Sequence, residues 1–295
     1  MAFGGYPPPE HLLGDLGMEA ELTTAETAWV RTRATPFVAA ADGAVRAGVL
    51  ATLVDIVGGA IAARVLHPDW MATADLTVQR VGPVLGPFVE ARGSVLRRGR
   101  TTLVIEALVV AVHEDGRTVE VDGRPADPVA WASMTFAVLP ARDPAPKVTM
   151  PAGLPSRWAF SGGGLQVPIH DTVGIEVVDG AAGHVAVPVR PYLHNSFGAV
   201  QGGVIGMLVE AAGAEALGAA YGGVGSDVVV TDLQIAYLAL GRIGPVVSSA
   251  RVLEPGADGR GSAVVELRDA GADDRLMTVA NVVAVPAATL VGTTA

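Results

Sequence analysis

The chain has 295 residues, half of them hydrophobic, which is material for two ordinary domains or one large one and argues against wholesale disorder. A net charge of −10 and a pI near 5.0 argue against a nucleic-acid binder, which would carry a basic stripe. The absence of Cys removes disulfides, thiol catalysis and Cys-metal sites, and Lys147 is the single lysine, so Schiff-base chemistry has one candidate, on a linker.

Read in chain order, the N-terminal MAFGGYPPPEHLLGDLG has no basic stretch followed by an apolar run, so no secretory signal is expected. A strand or hairpin is predicted next, in LGMEAELTTAETAWVRTRATP (16–36), then a Gly-rich turn. The helix-length apolar run VLATLVDIVGGAIAARVL (49–66) follows, with Asp55 in its middle. Four Val/Thr/Leu-rich segments then read as strands, roughly 71–81, 87–97, 101–113 and 128–139, with DGRPAD (122–127) as a turn-rich insertion. A Pro/Gly-rich stretch without periodicity, PARDPAPKVTMPAGLPSRWAFSGGG (140–164), reads as an inter-domain connector.

Beyond the connector the order repeats. VGIEVVDGAAGHVAVPVRP (173–191) resembles 16–36, and GAVQGGVIGMLVE (198–210) lies over GAVRAGVLATLVD (43–55) without a gap, a shift of 155. DLQIAYLALGRIGP (232–245) matches DLTVQRVGPVLGP (75–87), and both halves close on a Val-rich segment ending in Pro. Matching pieces in the same order indicate a tandem duplication. The expected organisation is a domain over 1–140, a connector over 141–170 and a second domain over 171–295, each an antiparallel sheet wrapped around one helix: an α+β fold. A mid-run carboxylate and many glycines argue against membrane spans, so a soluble, cytoplasmic protein is expected.

Helical spacing puts Asp55 on a stripe with Gly48, Ala51, Thr52, Gly58, Gly59 and Ala62, opposite the bulky Val49, Leu53, Ile56, Val57 and Leu66. Glu210 shares its stripe with Gly203, Gly206, Met207, Gly213 and Ala214. Each helical Gly costs about 1 kcal/mol against Ala, so such stripes need a reason. Close approach of another backbone is one reason, and room for a ligand beside the carboxylate is the other. In QGGVIG (201–206), Gly202 and Gly203 begin a helix, where free N–H groups and the positive dipole end suit an anion or a developing oxyanion. An electrophile-polarising amide and a carboxylate on one element are the minimum kit for hydrolysing an activated acyl group.

HNSFGAVQGGVIGMLVE (194–210), with DLQIAYL (232–238), resembles the signature of PaaI-like hotdog-fold acyl-CoA thioesterases, and in weaker form the likeness covers most of both halves. The resemblance implies two hotdog units paired as an intramolecular pseudo-dimer, with sites at their interface. It assigns Glu210 as the acid that activates water or attacks the thioester, Gly202 as the amide that polarises the carbonyl, and Asn195 as an orienting residue, with Gly203 and Gln201 lining the substrate. The Ser/Thr that assists the water falls on Thr73 in the first half but on Val230 in the second. The expectation is therefore one full site, of Asn195, Gly202, Glu210 and Thr73, and one weaker site around Asp55, with Arg46 and Ala47 in place of Gln201 and Gly202. The usual His of the turn is replaced by Gln201.

Burial on an apolar helix is expected to raise the Glu210 pKa and make it a competent base. Arg97, Arg98 and Arg100 of RRGR offer either a landing patch for CoA phosphates or a solvated turn. No G-x-S-x-G elbow and no tight His spacing are present, which disfavours a serine hydrolase and a metal site. The implied substrate is an acyl-CoA, with no cofactor beyond the CoA it carries, no nucleic-acid or membrane partner, and assembly as dimers of tandem chains. A non-catalytic acyl-CoA or lipid-binding module is the competing reading.

Overall fold

The computed structural model describes residues 2–3, 6–140, 148–149, 151–253 and 259–291, so Lys147 and most of the turn at 254–261 lie outside the described residues. The first half runs α1 (Leu12–Asp15), β1 (Glu19–Leu22), β2 (Thr27–Arg33), α2 (Ala47–Leu66), β3 (Trp70–Arg80), β4 (Phe88–Arg98), β5 (Thr102–Val112) and β6 (Ala130–Leu139). A strand in the connector, β7 (Ser156–Ala159), leads to the second half: α3 (Ile169–Val173), β8 (Glu176–Asp179), β9 (His184–Val187), α4 (Gly202–Ala220), β10 (Val228–Tyr237), β11 (Val246–Leu253), β12 (Gly261–Asp269) and β13 (Arg275–Pro286).

These thirteen strands form one antiparallel sheet in the order β7-β1-β2-β4-β5-β6-β3-β10-β13-β12-β11-β9-β8. The two repeats meet at its middle, where β3 pairs with β10 in the register Asp75↔Ala236, Thr77↔Gln234 and Gln79↔Asp232. Buried and less buried residues alternate along β6 and β12, as a half-buried antiparallel strand requires, with one face turned to a helix. Both β3 and β10 carry a register shift, between Thr73 and Asp75 and between Val230 and Asp232. A bulge of this kind bends a strand and re-aims its side chains.

The predicted central helices are α2 and α4, of 20 and 19 residues. Each is apolar nearly all round because it is enclosed on one side by its sheet and on another by the second helix. By length and composition both could cross a membrane, but most of each is buried in the fold. The helices touch backbone to backbone: a Cβ on Gly48 would fall 2.6 Å from Met207 Cα, and one on Gly203 would fall 2.5 Å from Thr52 Cα. The glycine stripe thus answers both questions the sequence raised. Gly48 and Gly203 permit helix contact, while Gly59 faces open space on a cavity wall.

The connector is more structured than its composition suggests. Trp158 on β7 pairs with Ala20 on β1, so the segment extends the edge of the first unit's sheet. The hairpin expected at the head of each half is present as β1–β2 and β8–β9, and the short helices α1 and α3 that precede them are each followed by a left-handed glycine, Gly17 and Gly174. They superimpose in bonding pattern: Met18 N–H donates to Leu13 O and Ile175 N–H to His170 O. Leu13 and His170 are therefore equivalent positions.

Candidate active site

A cavity of about 360 Å³ opens between the two units. Its walls include Asp55 and Thr73 from the first unit and Asn195, Gln201, Gly202 and Tyr237 from the second. Thr73 Oγ1 donates to Asp55 Oδ1 at 3.0 Å, and the Gly203 N–H at the start of α4 also bonds the carboxylate. Burial raises the Asp55 carboxyl to about 6, against the lowering pull of Thr73 and Gly203. The bulge in β3 aims Thr73 at α2. Gly202 leaves its approach clear, since a Cβ there would fall 2.7 Å from Asp55 Oδ2. Tyr237 donates its hydroxyl to Gly202 O at 3.0 Å and fixes the helix start.

Glu210 occupies the equivalent place in the other half, and its surroundings are opposite. It is 2% exposed and is not part of the cavity wall. Gly48 N–H donates to its Oε2 at 2.9 Å, Arg46 Nη1 stands 3.7 Å from Oε1 and His170 Nε2 stands 3.8 Å from Oε2. Burial alone would raise this carboxyl, but His170, Arg46 and the Gly48 amide together hold it below the ordinary glutamate value.

These positions correct the expected composition of the site. Glu210 does not join Asn195, Gly202 and Thr73. The two helices run past each other, so each acid meets the N-terminus of the other helix: Asp55 meets α4, and Glu210 meets α2. The fuller set is Asp55, Thr73, Gly202 and Asn195, and the raised pKa expected for Glu210 belongs to Asp55. Spacing along one helix placed Gly202 and Glu210 two turns apart on one element, but their partners come from across the interface.

Asn195 holds its own loop, its Oδ1 accepting from Phe197 N–H at 2.9 Å and Ala199 N–H at 3.2 Å. Gln201 is 2% exposed, and its Oε1 has no hydrogen-bond partner among the described residues. Arg97 and Arg98 end β4 and Arg100 is on the turn to β5; all three are exposed and do not line the cavity. That turn is nonetheless at the cavity's end of the sheet: Thr101 O accepts from Val138 N–H, and Val138 pairs with Met71 on the cavity wall.

Several contributors had no signal in the reading of the repeats. Leu13 and His170 could have been found by aligning LLGDLGM with IHDTVGI on their shared glycine. Tyr6, Trp158 and Phe160 come from segments outside the repeats, and no periodicity marks them. Of the six Phe, four Tyr and four Trp in the chain, seven line this one cavity. The scarcity of aromatics in the composition gave no hint of that concentration.

Residues 42–119 match the family model described as Thioesterase superfamily. No curated protein matches the chain. Among solved structures, the chain is similar to an acyl-ACP thioesterase from Bacteroides thetaiotaomicron VPI-5482, at 14% identity and a TM-score of 0.53, over 88% of this chain and 97% of that one. It is also similar to the tesB protein of Mycobacterium avium subs paratuberculosis, at 14% identity and a TM-score of 0.55, over 90% of this chain and 95% of that one. At such identities the likeness establishes the fold, and it spans both repeats together. The first repeat thus carries a match to the thioesterase superfamily, and the chain as a whole has the fold of these thioesterases, two hotdog units in one chain.

Proposed function

We propose that the chain hydrolyses acyl-CoA thioesters at one composite site, with Asp55 as the catalytic carboxylate. The observation that carries this reading is the contrast in surroundings: Asp55 faces the cavity with Thr73 beside it and a pKa near 6, while Glu210 is closed in by the Arg46 guanidinium and the His170 imidazole. A carboxylate with that pKa is ionised near neutral pH and still basic enough to accept a proton. In the proposed reaction Asp55 takes a proton from water as the water oxygen bonds to the thioester carbon. The carbonyl oxygen gains the negative charge and receives the Gly202 N–H. The tetrahedral species then collapses, the C–S bond breaks and the thiolate leaves with the proton held by Asp55. Thr73 and Asn195 orient the water and the ester, and Gln201, in place of the usual His, positions the thioester with its amide. Gly203 holds the Asp55 carboxylate, and Arg97, Arg98 and Arg100 receive the CoA phosphates at the mouth.

The enzyme is proposed to be soluble and cytoplasmic, to need no cofactor beyond the CoA of its substrate, and to bind neither nucleic acid nor membrane. The acidic charge and the enclosed central helices support this. Assembly as a dimer of tandem chains is supported by Leu108 and Trp131, paired neighbours that are 42% and 37% exposed on the outer sheet face.

The test is thiol release from a panel of acyl-CoA esters by wild type, Asp55→Asn and Glu210→Gln. Abolition by Asp55→Asn with retention in folded Glu210→Gln is the expected result. The reverse pattern would return the catalytic role to Glu210. Tight CoA-ester binding without turnover of any ester would move the protein to the class of binding modules, a reading favoured by Gln201 standing where the family has His.

A further inference from the structure

The two repeats do not build the cavity alone. Tyr6 reaches it from the segment before the first repeat, Leu13 from the short helix at that repeat's head, and Trp158 and Phe160 from the connector. These two segments are pinned to each other and to the second unit. Asp15 joins them, accepting from Gly163 N–H at 2.9 Å and from the Tyr192 hydroxyl at 2.8 Å. Phe160 N–H donates to Met18 O at 2.8 Å. His11 Nδ1 accepts from Leu13 N–H, so its Nε2 carries the proton and donates to His194 O at 2.8 Å, next to Asn195. The wall is therefore held in place by hydrogen bonds, and it shares the cavity with Ile56, Gly59 and Ala60 on α2.

We infer that Tyr6, Leu13, Trp158 and Phe160 are the specificity-determining wall of the acyl pocket and restrict the enzyme to compact acyl groups, excluding long chains. This rests on the thioesterase reading above. Three considerations converge. The wall is apolar and mostly aromatic, so it takes an apolar acyl group rather than a charged or hydroxylated one. The cavity of about 360 Å³ is near the lower end of ligand pockets and must hold the thioester and the end of the CoA arm as well. The equivalent of Leu13 at the other acid is His170, which pairs with Glu210 instead of leaving space. An aromatic or short branched acyl group fits such a wall, whereas an extended chain would have to displace it.

The experiment compares kcat/KM for butanoyl-, benzoyl- and palmitoyl-CoA in wild type, Tyr6→Ala and Trp158→Ala, with Trp131→Ala on the outer face as control. Wild type is expected to favour benzoyl-CoA over palmitoyl-CoA by at least about tenfold, and each wall truncation to raise the palmitoyl-to-benzoyl ratio about tenfold while Trp131→Ala leaves it unchanged. A wild type that takes palmitoyl-CoA as well as benzoyl-CoA, or truncations that lower all three esters equally, would overturn the inference. If no ester is hydrolysed, the thioesterase reading fails. The same ratio measured by calorimetric binding of the three esters then decides the wall independently.

Discussion

Asp55 and Glu210 are the same residue position in two copies of one ancestral unit, and their neighbourhoods have diverged in opposite directions. Around Asp55 the equivalent positions hold Leu13, Gln201 and Thr73, and around Glu210 they hold His170, Arg46 and Val230. Arg46, His170 and the Gly48 amide next to one acid, and no cation next to the other, decide the sign of each pKa shift. Burial is common to both, so the charge environment makes the difference. A buried carboxylate without a cation is reactive and raises the free energy of the folded state when ionised. A buried carboxylate held by a guanidinium, an imidazole and an amide ties elements together: Glu210 links α4 to α2 through Arg46 and Gly48, and to α3 through His170.

The sharpest way to break this comparison is Asp55→Asn, which should lower kcat by about 10³ in a thiol-release assay, within the usual range for a lost base. Glu210→Gln should change kcat per folded molecule by less than about threefold, because its charge serves no proton transfer. Its loss should appear in stability instead. Removing one partner of a buried ionic group leaves the others unpaired and should lower the unfolding free energy by about 3 kcal/mol, read from the urea midpoint at pH 7.

Grafting one environment onto the other sharpens the comparison further. The double change Leu13→His with Gln201→Arg should bring cations to Asp55, pull its pKa below 6 and reduce kcat about 100-fold, with the acid limb of the pH–rate profile moving to lower pH. Thr73→Val, which copies Val230, should remove a bond that lowers the Asp55 pKa. The expected result is a limb shifted above 6 and kcat reduced about tenfold.

The smallest effect is the pH dependence of the wild type. Asp55 must be ionised to act, so kcat/KM should rise as pH increases through about 6. The stability contributions have opposite signs. The Asp55 pKa is raised, so its contribution is present below the ordinary aspartate value and is lost as pH rises through about 6. The Glu210 pKa is lowered, so its contribution is present above the ordinary glutamate value and is lost as pH falls through the folded value. Urea midpoints of Asp55→Asn and Glu210→Gln against wild type at pH 5 and 8 would separate the two.

Much of this was legible in the residues. The tandem order, the two central helices and the four strands after α2 follow from hydrophobic period and from pieces that repeat at a fixed shift. Asp55, Glu210 and Gly202 were also readable, because a carboxylate on an apolar helix and a Gly-rich turn carry a local cost that asks for a cause, while Thr73 and Asn195 were named through the family resemblance. The pairing of those residues was not readable. A helix gives the distance between Gly202 and Glu210 along its own axis but says nothing about which acid a second helix will bring to its N-terminus.

The sequence by itself determined two repeated α+β units, one apolar helix in each, and a carboxylate at the centre of each helix, since period, composition and repetition are local quantities. Only the tertiary structure decided which carboxylate faces a cavity and which faces Arg46 and His170, because those neighbours come from other elements and the sign of a buried charge's pKa shift depends on them. It also decided that Tyr6 and Trp158, 152 residues apart and outside both repeats, share a wall with Asp55, a proximity set by chain packing that no pattern in either segment records.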